Sequence, residues 1–265
     1  MMDNMTPVVK QLLIINVLFF LGSWFVPNAE NILALYYFEN NNFRFWQPVT
    51  HMFMHGGIAH IAFNMFALVS FGSLLEHYWG AKRFLFFYFS CGLGAALIHT
   101  AANYYQIHSV LESVASLNLS KTDALAILNA DYKQVFDENG QMVAGNIKAI
   151  LERTHCTQEQ FDALSGAISN FQSAAVGASG AIYGLLIAFA FMFPDAQLSM
   201  FFIPVPIKAK YFVPMIVAFD LFSGVTGSSI GGGNIAHFAH VGGALFGLLL
   251  MLYWRNNKFN HKRWN

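Results

Sequence analysis

The sequence predicts an all-α, polytopic membrane protein: a bundle of six transmembrane helices with a soluble helical insertion between the third and the fourth. Hydrophobic residues make up 56% of the 265 residues and charged residues only 11%. An ordinary soluble domain has about 45–50% apolar and about 25% charged residues. Six apolar stretches also approach the roughly 20 residues that a helix needs to cross a bilayer. The formal net charge is zero, so the charge balance does not indicate a nucleic-acid partner.

We place the six spans from the positions of these apolar stretches. The predicted bounds are about residues 9–27, 58–78, 83–106, 179–194, 211–227 and 235–254. Lys10 precedes the apolar run Leu12 to Phe20 as in a signal peptide, but no small-residue cleavage site follows this run, so we predict an uncleaved span. The fourth stretch is short, which fits a helix whose first turn lies inside protein and lines a cavity.

Two connections differ from ordinary short loops. Residues 28–57 contain apolar pieces too short to cross, Ile32 to Phe38 and Phe45 to Met54, and we expect them to lie partly in the membrane face. Residues 108–172 hold eight acidic and four basic residues and predict a soluble insertion within a single membrane domain, 1–265. A capping-box pattern at Thr157 to Gln160 and a turn signal at Asp137 to Gly140 predict two or three short amphipathic helices there.

Lysine and arginine predict the orientation. Cytoplasmic connections of membrane proteins are enriched in both residues. With the amino terminus inside, the cytoplasmic set holds nine of the fourteen: Lys10, Lys82, Arg83, Lys208, Lys210, Arg255, Lys258, Lys262 and Arg263. We therefore expect a multi-pass protein of a bacterial cell membrane, with both termini cytoplasmic and the start of the fourth span open to the outer side. The two cysteines, Cys91 and Cys156, lie in different environments, so neither a disulfide nor a metal motif is predicted.

The most informative stretch is the turn Gly177-Ala178-Ser179-Gly180, which opens directly into the fourth apolar run. Flanking glycines allow the backbone to approach a substrate closely, and Tyr183 follows the serine by one helical turn. A serine at the start of a helix also places its own N–H where the helix dipole favours negative charge. We interpret Ser179 as a nucleophile, with a plain helix-capping serine as the alternative.

A nucleophilic serine needs a base, and His240 in the last span is the preferred candidate. An ionisable residue inside a span is costly to bury, so it marks a functional position by default. His237, three residues earlier on the same face, competes for the role. We prefer His240 because Gly243 and Gly247 follow it on its own helical face. The alternative is a buried histidine bonded to a backbone carbonyl.

Other polar residues of the spans have both functional and structural interpretations. His60 and Asn64 lie four apart at the start of the second span, where they are candidate oxyanion donors or hydrogen bonds between helices. A transition-metal site is also conceivable, although the chain has no HExxH pattern and no carboxylate near the histidines in sequence. Its candidate ligands are His51, His55, His60, His237 and His240.

Two acidic residues within the spans receive structural interpretations. For Asp220, near the outer end of the fifth span, a hydrogen bond to a loop is favoured over orientation of a histidine. Glu76, at the end of the second span, is expected to pair with Arg83 of the following loop. An aspartyl intramembrane protease would need a second aspartate inside a span, and the sequence has none.

Taken together, these motifs resemble the rhomboid intramembrane serine proteases. The resemblance covers about residues 45–107 and 174–254, and its motifs occur in the order of that family. They are Trp46-Gln47, His55 with the HxxxN of His60 to Asn64, the ExxxG of Glu76 to Gly80, the GxSG of Gly177 to Gly180, and the HxxGxxxG of His240, Gly243 and Gly247.

The resemblance implies a serine protease with a dyad of Ser179 and His240 and without an acid. It further implies an oxyanion hole of His60, Asn64 and the Ser179 N–H, with Tyr183 packed against the His240 ring. No cofactor is implied. The insertion at 108–172 and the long loop Ser223 to Asn234 depart from compact relatives and affect how substrates reach the site.

The leading hypothesis is therefore an endopeptidase that cuts membrane proteins within or beside a transmembrane helix. Its partners are those substrates and the lipid bilayer, not nucleic acid. One alternative is a rhomboid-like protein that binds membrane clients without cutting them. Another is a metal carrier that uses the histidines.

Overall fold

The computed structural model describes residues 5–138, 140–200, 203–227 and 236–255, and at residues 200 and 203–205 it describes the backbone alone. The chain forms two compact units. The first, here the membrane unit, holds the residues up to Leu35, Phe45–His99 and the residues from Ala175 on. The second, here the insertion unit, holds Tyr36–Arg44 and Thr100–Ala174.

The described residues are mainly helical, which confirms the predicted fold class. In chain order the elements are α1 Pro7–Ser23, α2 Ala29–Leu33, α3 Gln47–Thr50, α4 Ile58–Trp79, α5 Ala81–Ser113, α6 Lys121–Leu128, α7 Tyr132–Val135, α8 Asn146–Arg153, α9 Gln158–Gln172, α10 Ser179–Met192, β1 Gln197–Met200, β2 Ile203–Lys208, α11 Ala209–Thr226 and α12 His237–Arg255. By length and composition α4, α5, α11 and α12 are able to cross a membrane, and α1 and α10 are shorter apolar helices. Each predicted span thus falls on an apolar helix.

Two predicted helix ends are wrong. The first span was expected to reach residue 27, but α1 ends at Ser23. Pro27 disfavours helical geometry at the residue before it, and Asn28 has a left-handed backbone with φ of 58°. The third span was expected to end near residue 106, but α5 continues to Ser113. Polar residues lower the hydropathy of this last part without disfavouring a helix.

Helix α10 lies in the centre of the membrane unit. Nine of its 14 residues are buried. A helix that is surrounded by protein in this way does not need an apolar stretch long enough to cross the bilayer on its own. Leu185 and Ala188 are completely buried in a core that also contains Leu68, Phe84 and Phe87. The first turn of α10 therefore lies inside the unit, as the short apolar run predicts.

Glycines bring α10 and α12 into backbone contact. A Cβ atom added to Gly247 would lie 2.7 Å from the Cα atom of Gly184, and one added to Gly243 would lie 2.6 Å from the carbonyl carbon of Gly180. Real Cβ atoms do not approach other atoms so closely, so neither glycine has room for a side chain. This contact sets the separation between the start of α10 and the start of α12.

The carboxylate of Glu76 joins α4 to α1. Its two oxygens accept hydrogen bonds from the N–H groups of Val8 at 3.0 Å and Val9 at 2.9 Å, and from the hydroxyl of Thr6. It thereby satisfies amides that the first turn of a helix leaves without partners. The role is structural, as predicted, and it includes the start of α1, which the sequence analysis did not name as a partner.

Two local features of the membrane unit were not predicted. Residues Leu68–Gly72 within α4 form a π turn, and a Cβ atom added to Gly72 would lie 3.1 Å from a methyl carbon of Val9. Strands β1 and β2 pair antiparallel between α10 and α11, with Gln197 opposite Lys208. The strands are short, and two prolines interrupt the apolar run of β2, so no alternating pattern marked it.

The insertion unit has a hydrophobic core of its own, which includes Ile127, Leu164 and Phe171. The predicted capping box is present at the start of α9, where the side chains of Thr157 and Gln160 each bond the other residue's backbone N–H. Tyr37, from the first connection, packs with its ring centroid 5.4 Å from that of Phe171. The participation of residues 36–44 in this unit was not anticipated.

Some expectations fall outside the described residues. They concern Lys258, Lys262 and Arg263 of the predicted cytoplasmic set, Asn139 of the turn signal, and residues 228–234 of the long loop. The orientation of the chain in a membrane stays a prediction.

Candidate active site

The turn before α10 places Ser179 at the first position of the helix. Ala178 is the N-cap residue, so Ser179 is not the capping serine of the alternative interpretation. Gly177 has a φ of 123°, and a Cβ atom added to it would lie 2.8 Å from Nε2 of His60. The Gly177 N–H donates to the carbonyl of His51 at 2.9 Å. Both the backbone angle and the space at this position require glycine.

The side chains of Ser179 and His240 are in hydrogen-bond contact. The Oγ atom of Ser179 lies 2.9 Å from Nε2 of His240, although 61 residues separate the two in sequence. His240 lies in the first turn of α12. The glycine contact between α10 and α12 begins at Gly180, directly after Ser179, and at Gly243, three residues after His240. The helix packing therefore positions the pair that the sequence analysis selected.

Tyr183 covers one face of the His240 ring. The two rings are stacked, with centroids 4.3 Å apart and planes 11° apart. Tyr183 follows Ser179 by four residues, so it projects from the same face of α10 one turn deeper. The stacking that the resemblance implies is thus present, and it restricts rotation of the imidazole.

Asp220 contacts both Tyr183 and His240, which corrects the expectation of a hydrogen bond to a loop. Its Oδ1 atom lies 3.1 Å from Nδ1 of His240 and 2.6 Å from Nδ1 of His237, and its Oδ2 atom accepts from the Tyr183 hydroxyl. A carboxylate only accepts hydrogen bonds, so Nδ1 of His240 carries the proton and Nε2 is left to accept from Ser179. Asp220 itself is only 4% exposed.

His237 is also held by Asp220 rather than by the serine. Its Nε2 atom is buried and has no partner among the described residues. The imidazole that contacts Ser179 is that of His240, which agrees with the preference for His240 over His237. Sequence spacing places both histidines on one face of α12, and it does not say which of them meets the serine.

His60 and Asn64 lie on α4, one turn apart. Nδ1 of His60 accepts from the Gly56 N–H at 3.4 Å, which leaves Nε2 to carry the proton on the side that faces Gly177. The Asn64 side chain is 6% exposed, and its Nδ2 atom has no hydrogen-bond partner in the described part of the chain. Both side chains therefore have donors that no described protein group uses.

The remaining histidines of the sequence analysis do not converge. His51 is buried, and its Nδ1 lies 2.9 Å from the carbonyl of Gln47. The ring of His55 packs edge-on against that of His60, with centroids 5.1 Å apart. Within the described ranges no three histidine, cysteine or acidic side chains are arranged to hold a metal ion.

The sequence matches the family model described as Rhomboid domain over residues 42–111 and 156–257, well over half of the chain. Rhomboid protease GluP of Bacillus subtilis is 36% identical over 73 residues, which cover 26% of this chain and 14% of that protein. The human presenilin-associated rhomboid-like protein, mitochondrial, is 34% identical over 128 residues, 41% of this chain and 33% of that protein.

Rhomboid protein 1, mitochondrial, of Saccharomyces cerevisiae is 25% identical over 247 residues, 92% of this chain and 52% of that protein. The chain thus spans about half or less of the length of these relatives. The family match includes α4, α10 and α12, the helices that contribute His60, Ser179 and His240. Together with its apolar helices, this match shows that the chain is an integral membrane protein that belongs to the rhomboid family.

Proposed function

We propose that this protein is an intramembrane serine endopeptidase with Ser179 as nucleophile and His240 as general base. The observation that carries the proposal is the 2.9 Å contact between Ser179 Oγ and His240 Nε2 at the buried start of α10. This distance lies in the range over which a base takes a proton from a nucleophile. A relative that is named a protease supports the same reaction.

In the first half of the reaction, Ser179 Oγ attacks the carbonyl carbon of the scissile peptide bond while its proton moves to Nε2 of His240. The tetrahedral intermediate collapses when the C–N bond breaks and Nε2 delivers that proton to the leaving amine. An ester between the substrate acyl group and Ser179 remains. Water then attacks the ester with its proton passing to His240, and the acid product leaves as Ser179 regains its proton.

The negative charge on the tetrahedral oxygen needs donors that are in place before the reaction. We assign this role to the Ser179 N–H, Nε2 of His60 and Nδ2 of Asn64. The Ser179 N–H belongs to the first turn of α10, where helix amides have no partners within the helix. The uncommitted Asn64 donor supports the assignment, because a buried donor without a partner is costly to keep.

The substrates we propose are membrane proteins with a transmembrane helix, cut within or next to that helix. Peptide groups of an intact helix are already hydrogen-bonded and sterically shielded, so the cleaved stretch has to unwind. Small or helix-breaking residues near the cut favour unwinding. Lys and Arg placement supports an orientation with both termini cytoplasmic and Ser179 near the outer side.

The test is cleavage of a model transmembrane substrate by the full chain in lipid vesicles. We expect wild-type protein to cut it and Ser179→Ala to leave it intact. Ser165→Ala is a matched control, because Ser165 is an exposed serine of α9 whose hydroxyl donates to the carbonyl of Asp162 within the same helix. Equal cleavage by wild type and Ser179→Ala would overturn the proposal. Substrate binding without cleavage by wild type would favour the non-proteolytic client-binding alternative.

A further inference from the structure

We infer that Asp220 is a positioning residue for His240, so that the site works as a serine, histidine and aspartate unit. This inference rests on the proposed function. It departs from the acid-free dyad that the rhomboid resemblance implies. The contact at its centre is the 3.1 Å approach of Asp220 Oδ1 to Nδ1 of His240, on the side of the ring opposite Ser179.

The residues around Asp220 form a connected set on three helices. Ser179 and Tyr183 lie one turn apart on α10, His237 and His240 lie one turn apart on α12, and Asp220 lies on α11. One carboxylate oxygen meets both histidines and the other meets the tyrosine hydroxyl. With three donors on its two oxygens, the carboxylate has little freedom to rotate away from His240.

This set constrains His240 in two independent ways. The Tyr183 ring fixes the plane of the imidazole by stacking. Asp220 fixes which nitrogen carries the proton, because its oxygen accepts only from a protonated Nδ1. The second constraint matters for chemistry, since a histidine with its proton on Nε2 would be unable to accept the proton of Ser179.

A carboxylate at this position also acts during proton transfer. When Nε2 takes the serine proton, His240 becomes positively charged in a largely buried site, where its side chain is 14% exposed. An adjacent negative charge stabilises that state more strongly in a buried environment than in water.

The alternative is that Asp220 only holds α11 against α10 and α12. The positioning role and the purely structural role both predict that Asp220→Ala lowers activity, so the alanine variant does not separate them. Asp220→Asn does, because asparagine has nearly the same shape and keeps a polar contact but has no charge. Its amide group is also able to donate to Nδ1 and so to favour the wrong tautomer of His240.

The experiment compares wild type with Asp220→Asn and Asp220→Glu in vesicles, using substrate turnover and the rate of Ser179 labelling by a fluorophosphonate. We expect Asp220→Asn to lower kcat and the labelling rate by roughly 10²–10⁴-fold, up to the loss seen when a triad acid is neutralised. KM should change by less than about 3-fold, since Asp220 is not proposed to touch the substrate. Asp220→Glu should recover at least about ten-fold of the lost kcat by restoring the charge.

A purely structural role predicts a different pattern. Asp220→Asn and Asp220→Glu would then lower the melting temperature by similar amounts, and kcat per folded molecule would stay normal. That pattern, or an Asp220→Asn protein with wild-type kcat and labelling rate, would overturn the inference. If Asp220→Asn does not fold, Asp220→Gln is compared with Asp220→Glu. These two side chains have the same length and differ in charge, so their kcat values test the role of the charge in the same way. Wild-type protein that neither cleaves nor reacts with the fluorophosphonate would instead refute the proposed function.

Discussion

Two buried carboxylates of the membrane unit, Glu76 and Asp220, show how one chemical group serves two purposes. Each is 4% exposed and has several hydrogen-bond donors around it. The donors at Glu76 are two backbone amides and a threonine hydroxyl, none of which changes protonation during a reaction. The donors at Asp220 are two imidazoles and a phenol, and one of those imidazoles contacts the proposed nucleophile.

This difference in hydrogen-bond donors predicts whether a substitution changes stability or turnover. A change at Glu76 loosens α1 from α4 and should lower stability, while the contact between Ser179 and His240 stays intact. A change around Asp220 and His240 should lower turnover with a smaller effect on melting. The predictions below test this separation, from the largest expected effect to the smallest.

The largest effect is expected from His240→Ala, which removes the proposed base. We expect turnover of a transmembrane substrate to fall by at least about 10⁴-fold, and Ser179→Ala to fall equally far. The two residues act as one unit, so the double variant should be no worse than either single one. His237→Ala is the matched control and should lose far less turnover than His240→Ala, because His237 does not contact Ser179 and is one of three donors to Asp220. An inactive His237→Ala beside an active His240→Ala would reverse the assignment.

A smaller loss of turnover is expected from Asn64→Ala. Removal of one oxyanion donor costs about 10²–10³-fold in kcat, with little change in apparent substrate affinity. His60→Ala should behave in the same way. Asn16→Ala is a suitable control, since Asn16 is also a buried asparagine of the membrane unit but bonds the Leu12 carbonyl within α1. A loss confined to KM would count against the oxyanion role.

Gly247→Val should affect both stability and turnover. Valine has no space beside Gly184, so α12 must move away from α10. A misplacement of about 1 Å can cost roughly 10²-fold in rate, and melting should drop because close contact joins membrane helices. Gly22→Val on α1 is the control, because outside its own helix backbone no atom of the described residues lies within 4 Å of the position its Cβ would take. Normal melting and turnover in Gly247→Val would contradict the glycine contact.

Glu76→Gln should have the smallest effect on chemistry. The substitution replaces one acceptor oxygen by a donor that faces the α1 amides, so we expect a loss of about 1–3 kcal/mol in unfolding free energy. The measurement is thermal melting together with kcat per folded molecule. Unchanged kcat is the predicted result. A fall in kcat comparable to that of Asp220→Asn would remove the distinction between the two carboxylates.

Much of this architecture could be predicted from the sequence because it depends on local patterns. Apolar stretches near the length of a bilayer crossing mark the helices, and glycines four apart mark the faces of α10 and α12 that meet. The pair Ser179 and His240 could be selected because an ionisable histidine is rare within a span, and because the serine turn opens directly into an apolar run, where the start of a helix favours negative charge. The capping box at Thr157 is equally local.

The contacts of Asp220 and Glu76 could not be predicted in the same way. Each depends on how one helix is rotated and tilted against another, and sequence spacing does not determine that rotation. One signal was available for Asp220: it is an acidic residue inside a span, at the same end of the bundle as Ser179 and His240. The π turn at Leu68–Gly72 and the pairing of β1 with β2 likewise depend on packing rather than on a repeating pattern.

The central claim is that His240 activates Ser179 for attack. The most direct measurement is mass spectrometry of the full chain in vesicles after exposure to a fluorophosphonate, with the adduct mapped to a peptide. We predict an adduct on Ser179 in the wild type and in His237→Ala, and none in His240→Ala after the same time. An adduct that forms equally fast in His240→Ala, or a wild type that cleaves substrate without any reaction at Ser179, would contradict the account.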